Sequence, residues 1–222
     1  MEDWFGRWRE GRTGWHEADG NEGLHTWWPD ATGRVLVPLC GKSPDLKWLA
    51  DRGHEVVGVE LSAIAAEAFF AEQGLKYHVE KRGGFDVYSA RDDAVEFFCG
   101  DYFAFQAEPF DALYDRGALV ALPESLRSEY VKHTKTLLAP TATRLVITLE
   151  YEQRIVDGPP YAVWPDELLD YWDDLVRVEE KDDIENCPPK FRKAGLTEIS
   201  EVFWLAKGDS DPNSVKGVTS TR

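Results

Sequence analysis

The stretch RVLVPLCGKSPDLKWLADRGHEVVGVELS, Arg34 to Ser62, decides the fold. Arg34 to Leu39 is a nearly continuous apolar run, the pattern of a strand buried on both faces of a parallel sheet. It stops at Cys40-Gly41. Ser43 follows as an N-cap with Pro44 at the first helical position, Leu46 and Leu49 share one helical face, and Gly53 suits a left-handed stop. Glu55 to Glu60 is a second apolar strand, finishing on a carboxylate, and Ser62 caps a further helix that stops at Gly74. Strand, glycine turn, helix and strand open a βαβ unit.

Further along the chain the alternation continues. Val95 to Cys99 reads as a strand ending at Gly100-Asp101, and Phe110 to Tyr114 as one ending at Asp115-Arg116. Glu124 to Leu138 is a helix between Pro123 and Pro140, and Thr143 to Glu150 is a fifth strand. Leu175 to Val178 and Glu198 to Leu205 follow without a long helix between them, which suits an antiparallel addition at the sheet edge. The expected fold is α/β, a Rossmann-like sheet of seven mostly parallel strands with helices on both faces and the last strand antiparallel.

Three segments lie outside this core. Residues 1–33 hold five of the nine Trp, including Trp4, Trp8 and Trp15, too many for a solvated extension, and are expected to form a helical cover. Residues 152–172, with Gly158-Pro159-Pro160-Tyr161 and Trp164-Pro165, suggest a rigid aromatic lid. Residues 208–222 lack apolar periodicity and read as a flexible tail, leaving one domain over 1–207.

Composition limits the partners. The 222 residues carry a formal charge of −16, which repels phosphate backbones and anionic membrane faces, so neither nucleic acid nor a membrane is expected as a partner. No stretch approaches the roughly 20 apolar residues that cross a bilayer. Cys40, Cys99 and Cys187 are far apart and odd in number, so no disulfide framework or zinc knuckle can be drawn, and a reducing cytoplasm fits. The five His share no metal-ligand spacing. Ten acids lie between Asp166 and Glu185 without the spacing of a calcium loop, the pattern of a solvated face. No metal is expected. Cys40 has no base near it in sequence and reads as a small packed residue rather than a nucleophile.

In an open parallel sheet, ligands bind beyond the carboxyl ends of the strands where strand order reverses. Leu39 and Gly41 lie at the first such end. Glu60 closes the second strand 19 residues past Gly41, the spacing at which a carboxylate meets the hydroxyls of a nucleoside ribose. Gly100 and Asp101 follow the third, where Asp101 is placed to accept from an adenine amino group. The turn PLCGKSPDL has one of the three glycines that cradle a pyrophosphate. A nucleoside ligand without pyrophosphate, such as S-adenosylmethionine, therefore fits better than a nicotinamide dinucleotide.

Four motifs carry a resemblance: VPLCGKSPDLKWLADRGHEVVGVELS at Val37 to Ser62, W-x-x-x-W-x-x-G-x-T-x-W-H at Trp4 to His16, DRGALVALP at Asp115 to Pro123, and GPPY at Gly158 to Tyr161. In this order they resemble the signature of the thiopurine S-methyltransferase family from Trp4 to about Leu205. The resemblance implies a cytoplasmic, usually monomeric enzyme that moves a methyl group from S-adenosylmethionine to a sulfur or related soft nucleophile. It implies that Trp4, Trp8 and Trp15 lie over the cofactor, with Trp15 standing where many relatives have Phe. Leu39 and Gly41 line the methionine side, Glu60 holds the ribose, and Gly100 with Asp101 meets the adenine. Arg116 stands between cofactor and acceptor as a catalytic residue. A second basic residue that orients the acceptor falls on Lys190 or Arg192, and together these groups are expected to give the acceptor local positive charge. The acceptor is a small thiol, with selenium or tellurium oxyanions or halides as the alternative and a silent nucleoside-binding module as the reading from another class.

Overall fold

The structure, a computed structural model, describes residues 4–30 and 32–208. Two short helices, α1 (Trp4–Arg9) and α2 (Glu22–Trp27), precede the sheet. The first unit is β1 (Arg34–Pro38), α3 (Asp45–Ala50), β2 (Glu55–Glu60) and α4 (Ala63–Glu72). Next come β3 (Tyr77–Arg82), β4 (Phe85–Ala90), β5 (Val95–Cys99) and β6 (Phe110–Arg116). The chain then runs through α5 (Glu124–Leu137), β7 (Leu138–Glu150), α6 (Pro165–Tyr171), β8 (Val176–Asp182), α7 (Pro189–Lys193) and β9 (Ser200–Ala206).

All seven expected strands lie in one sheet, but the sheet has nine, in the order β3-β4-β5-β2-β1-β6-β7-β9-β8. The central five are parallel, and β9 runs antiparallel to both β7 and β8. The two additional strands form an antiparallel hairpin, β3 with β4, which extends the sheet beyond β5. Its turn is Gly83-Gly84, both at positive φ (59° and 90°), the backbone that a two-residue hairpin turn demands. Charged Glu80, Lys81 and Arg82 mark β3 as an exposed edge strand, which blunts edge-to-edge pairing and hides the apolar alternation.

Pleating distributes the core over two faces. Val35 and Val37 point to the face packed by Leu46, Leu49, Phe69 and Phe70 of α3 and α4. Leu36 points to the other face, packed by Tyr130, Val131 and Leu137 of α5 and by Leu168 of α6. Helices thus cover both faces. On α5, Arg127, Tyr130, Val131, Thr134 and Leu137 are buried, the three-to-four spacing of one helical stripe.

The ends of several elements differ from expectation. Ser43 does act at the start of α3, its Oγ accepting the Asp45 N–H at 3.2 Å, and Gly53 stops the turn with φ 88°. Ser62 does not cap α4 with its side chain. Its carbonyl instead accepts the Ala65 and Ala66 N–H groups, while the Glu60 carboxylate holds the approach to the helix by accepting the Leu61 and Ser62 N–H groups at 2.8 and 3.0 Å. The 152–172 segment, expected to be rigid, is fastened: Tyr161 N–H reaches the Val120 carbonyl at 2.7 Å, and Tyr151 Oη donates to the Pro160 carbonyl at 2.7 Å. Gly208 donates to Thr143 Oγ1 at 3.0 Å, and the expected tail from 209 onward lies outside the described residues. Among the described residues no helix is long and apolar enough to cross a membrane.

Candidate active site

Strand order reverses at β1, with β2 on one side and β6 on the other, so the crevice at their carboxyl ends is the candidate ligand site. The exit from β1 is bent sharply. Leu39 and Gly41 both lie in the left-handed region, with φ of 46° and 55°, and a branched residue such as Leu rarely adopts it. Such strain persists only where surrounding structure enforces it and clusters at functional sites. The enforcing group is Glu60, whose Oε2 accepts the Gly41 N–H at 3.1 Å.

Glu60 therefore takes three backbone N–H groups, from Gly41, Leu61 and Ser62, while itself buried. Burial raises its carboxyl above the usual range and the three N–H groups oppose that rise. A carboxylate offers about four lone-pair sites, so acceptor capacity for a hydroxyl remains. Beside it, Ser62 Oγ is buried and has no hydrogen-bond partner among the described residues. Gly100 donates to the Glu60 carbonyl at 2.9 Å, and a Cβ on Gly100 would lie 2.5 Å from the Phe85 ring. Asp101 is exposed at the mouth, its Oδ1 accepting the Phe103 N–H at 3.0 Å.

The N-terminal segment lies over this turn. Trp15 meets Trp4 and Trp8 edge-on, with ring centres 5.3 and 5.7 Å apart. A Cβ on Gly41 would sit 3.4 Å from Trp8 and 3.8 Å from Trp15, so the three sequence-distant features Trp8, Trp15 and Gly41 adjoin. Lys42 and His16 both reach Glu72 of α4, at 2.5 and 3.8 Å, which anchors the cover from the side. Burial, then Lys42, lowers the His16 pKa, so this imidazole is neutral near pH 7.

Arg116, at the end of β6, holds the cover from below. Its Nη1 donates to the Trp15 carbonyl at 2.8 Å and its Nη2 pairs with the Glu17 carboxylate. The neighbouring Asp115 turns to the other face, accepting from Leu119 N–H at 3.1 Å and Tyr130 Oη at 2.7 Å, so the two adjacent residues form no local pair. Burial pushes the Asp115 carboxyl up to about 6.

Around Arg116 the fold gathers acids that the sequence did not single out. Asn21 Nδ2 bridges Glu17 and Glu201, at 3.1 and 3.3 Å. Asp45 accepts from Asn21 N–H at 2.9 Å and from Tyr114 Oη at 2.8 Å. Burial first, then Glu17, pushes Glu201 up to about 7, and burial also raises Glu17 and Asp183. The expected local positive charge is thus corrected: Arg116 is paired and faces carboxylates. Lys190, on α7, donates to the Asp157 carbonyl at 2.9 Å, and Arg192 pairs with Glu185 at 3.0 Å. Asn21 carried a readable signal as the N-cap of α2, but the partnership of residue 17 with residue 116 is purely tertiary.

Cys40 lies in the same turn and Cys99 at the end of the neighbouring β5, and burial disfavours the thiolate of both. Burial, then Glu60, pushes the Cys40 thiol well above its ordinary value and Cys99 up to about 12. His54, buried, accepts from Trp28 Nε1–H at 2.9 Å at its Nε2, leaving Nδ1–H to the Gly33 carbonyl at 3.3 Å. It is a satisfied core histidine. Among the described residues no group of His, Cys, Asp and Glu is arranged to hold a metal ion.

Strand order and the glycine turn tied to a strand-end carboxylate, together with likeness to solved and sequenced enzymes, define an S-adenosylmethionine-dependent methyltransferase. The Burkholderia thailandensis 1,6-didemethyltoxoflavin-N1-methyltransferase, solved with S-adenosylhomocysteine, superposes with a TM-score of 0.57 over 92% of this chain and 86% of its own, at 18% identity. The arsenic(III) S-adenosylmethionine methyltransferase of Chlamydomonas reinhardtii superposes with a TM-score of 0.54 over 79% and 63%, at 13% identity. At such identities the likeness is one of fold. The family model of thiopurine S-methyltransferase matches residues 1–209, and the chain belongs to that family. A thiopurine S-methyltransferase of Pseudomonas fluorescens is 42% identical over 93% of this chain and 98% of its own, and one of Pseudomonas putida is 44% identical over 89% and 94%.

Proposed function

We propose that this enzyme methylates the sulfur of a small thiol. In this reading Leu39, Gly41, Glu60, Gly100 and Asp101 hold S-adenosylmethionine beneath Trp4, Trp8 and Trp15, and Arg116 stands on the acceptor side. The observation that carries it is the convergence at the β1/β6 crevice of the strained Gly41 turn, Glu60, the Trp cover and Arg116. The residues suit the cofactor. Ser62 Oγ offers an unpaired buried hydroxyl next to Glu60, Gly41 holds the left-handed turn that a glycine takes without strain, and the Trp rings attract a sulfonium cation.

When bound, S-adenosylmethionine supplies an electrophilic methyl group. A thiol of pKa about 8.5 is already partly ionised at neutral pH, so this chain needs no strong base. The new bond is sulfur to methyl carbon, the broken sulfonium bond leaves its electron pair on S-adenosylhomocysteine, and the thiol proton is released. What the chain contributes is placement: Glu60 fixes the turn, the Trp cover excludes water, and Arg116 joins the cover to β6. Lys190 acts from the far side, through the 152–164 loop it fastens at Asp157.

The experiment is Arg116→Ala, with S-adenosylhomocysteine affinity measured by calorimetry beside initial rates on a panel of thiols, selenite, tellurite and iodide. The expected outcome is a fall in saturated turnover of about tenfold or more with cofactor affinity held within about threefold. Collapse of cofactor affinity with unchanged saturated turnover would make Arg116 a cofactor residue only.

A further inference from the structure

The side of the crevice beyond Arg116 carries charge opposite in sign to what an anion-binding pocket needs. One guanidinium, its side chain 19% exposed, is paired with Glu17 and bonded to the Trp15 carbonyl. Glu201 shares the Asn21 amide with Glu17, and the Arg116 charge also reaches Asp183, just past β8. An acceptor with a permanent negative charge has to displace a carboxylate that is already in place, among others that repel it. At short range and in a partly buried site, such like-charge approach is a strong discriminator.

We infer that Glu17 is a specificity-determining residue that neutralises Arg116, so that the acceptor site takes thiols without a permanent negative charge and turns away carboxylate-bearing thiols and oxyanions. The inference rests on the proposed thiol methylation and names the charge class of its substrate. Glu17 has a second effect, since its pairing draws the segment after Trp15 onto β6. A charge filter and a purely structural clasp differ in what they change. Loss of a clasp lowers turnover of every acceptor alike, whereas loss of a filter changes the ratio between acceptors of different charge.

The filter also has a pH signature. Glu201 faces Glu17 of the cover, Asn21, Arg116 of β6, Asp183 just past β8, and Lys181 directly across on β8, while His16, Asp45 and Tyr114 surround Arg116 itself. Its ionisation through about pH 7 adds negative charge to the acceptor side. Preference for the uncharged acceptor therefore widens as pH rises from about 6 to about 8.

The test compares benzyl mercaptan with 4-(mercaptomethyl)benzoate, thiols of matched acidity that differ by one fixed charge. The wild type is expected to favour benzyl mercaptan by about tenfold or more in kcat/KM. Glu17→Gln, which keeps the shape and removes the charge, is expected to narrow that ratio at least about fivefold, chiefly through a lower KM for the benzoate. Glu201→Gln is expected to narrow it less and to flatten its pH dependence, and Glu17→Asp to restore the wild-type preference. The methylated products of both thiols, titrated calorimetrically onto the protein loaded with S-adenosylhomocysteine, give the same ratio without turnover. A ratio unchanged by both Gln variants, in rates and in binding, overturns the inference. Absence of turnover with any thiol, beside a binding ratio that still shifts, overturns the functional reading and leaves the filter standing.

Discussion

Glu60 shows how one side chain serves both fold and site. It fixes the segment from β2 into α4, seats the Gly41 turn and closes β2, with three N–H groups on one buried carboxylate. Glu60→Ala leaves those donors unsatisfied, each costing about 1–3 kcal/mol when buried. The variant is expected to lose several kcal/mol in urea unfolding and to lose S-adenosylhomocysteine binding with it. Asp115 makes a different prediction. Its carboxyl rises from 3.8 to about 6, so ionising it costs the fold on the order of 3 kcal/mol more than it costs the unfolded chain. The stability this group contributes is fully present below its unfolded pKa and is lost as pH rises through about 6. Asp115→Asn should therefore be more destabilising at about pH 4.5 than at about pH 7.5, as urea midpoints at the two pH values would show; an equal penalty at both would count against a raised carboxyl.

At the scale of elements, the strands whose ends carry polar residues were legible because burial on both faces leaves continuous apolar runs, as in β1 and β2. The β3–β4 hairpin was not. Its edge strand is charged nearly throughout, and only Gly83-Gly84, a recognised hairpin signal, marked it. Gly84 sits at φ 90° and a Cβ placed there would meet nothing within 4 Å, so its cost on substitution is one of backbone alone. Gly84→Ala is expected to destabilise by about 1–2 kcal/mol in thermal or urea unfolding while kcat and KM stay unchanged. The cover was legible in part: its Trp content marked a cover and the family resemblance put the rings over the cofactor turn, but its attachment to β6 and β9 through Glu17 and Asn21 joins residues about a hundred or more positions apart, which no local pattern encodes.

For the whole molecule, the surplus of acid has two parts. Most of it is solvated, as along 166–185 apart from Asp183, and a smaller share is drawn inward around Arg116, where Glu17, Asp45, Asp183 and Glu201 meet. Net charge read from sequence argued against nucleic acid but could not tell which acids gather around Arg116. The central proposal is methyl transfer to sulfur at the β1/β6 crevice, in a chain that belongs to the thiopurine S-methyltransferase family. It is tested most directly by incubating the purified protein with S-adenosylmethionine and benzyl mercaptan and measuring S-adenosylhomocysteine and the methyl thioether together. The account predicts that the two form in equal amounts and that Arg116→Ala slows both at least about tenfold while still binding S-adenosylhomocysteine. Tight binding of S-adenosylhomocysteine with no thioether from any thiol would contradict it.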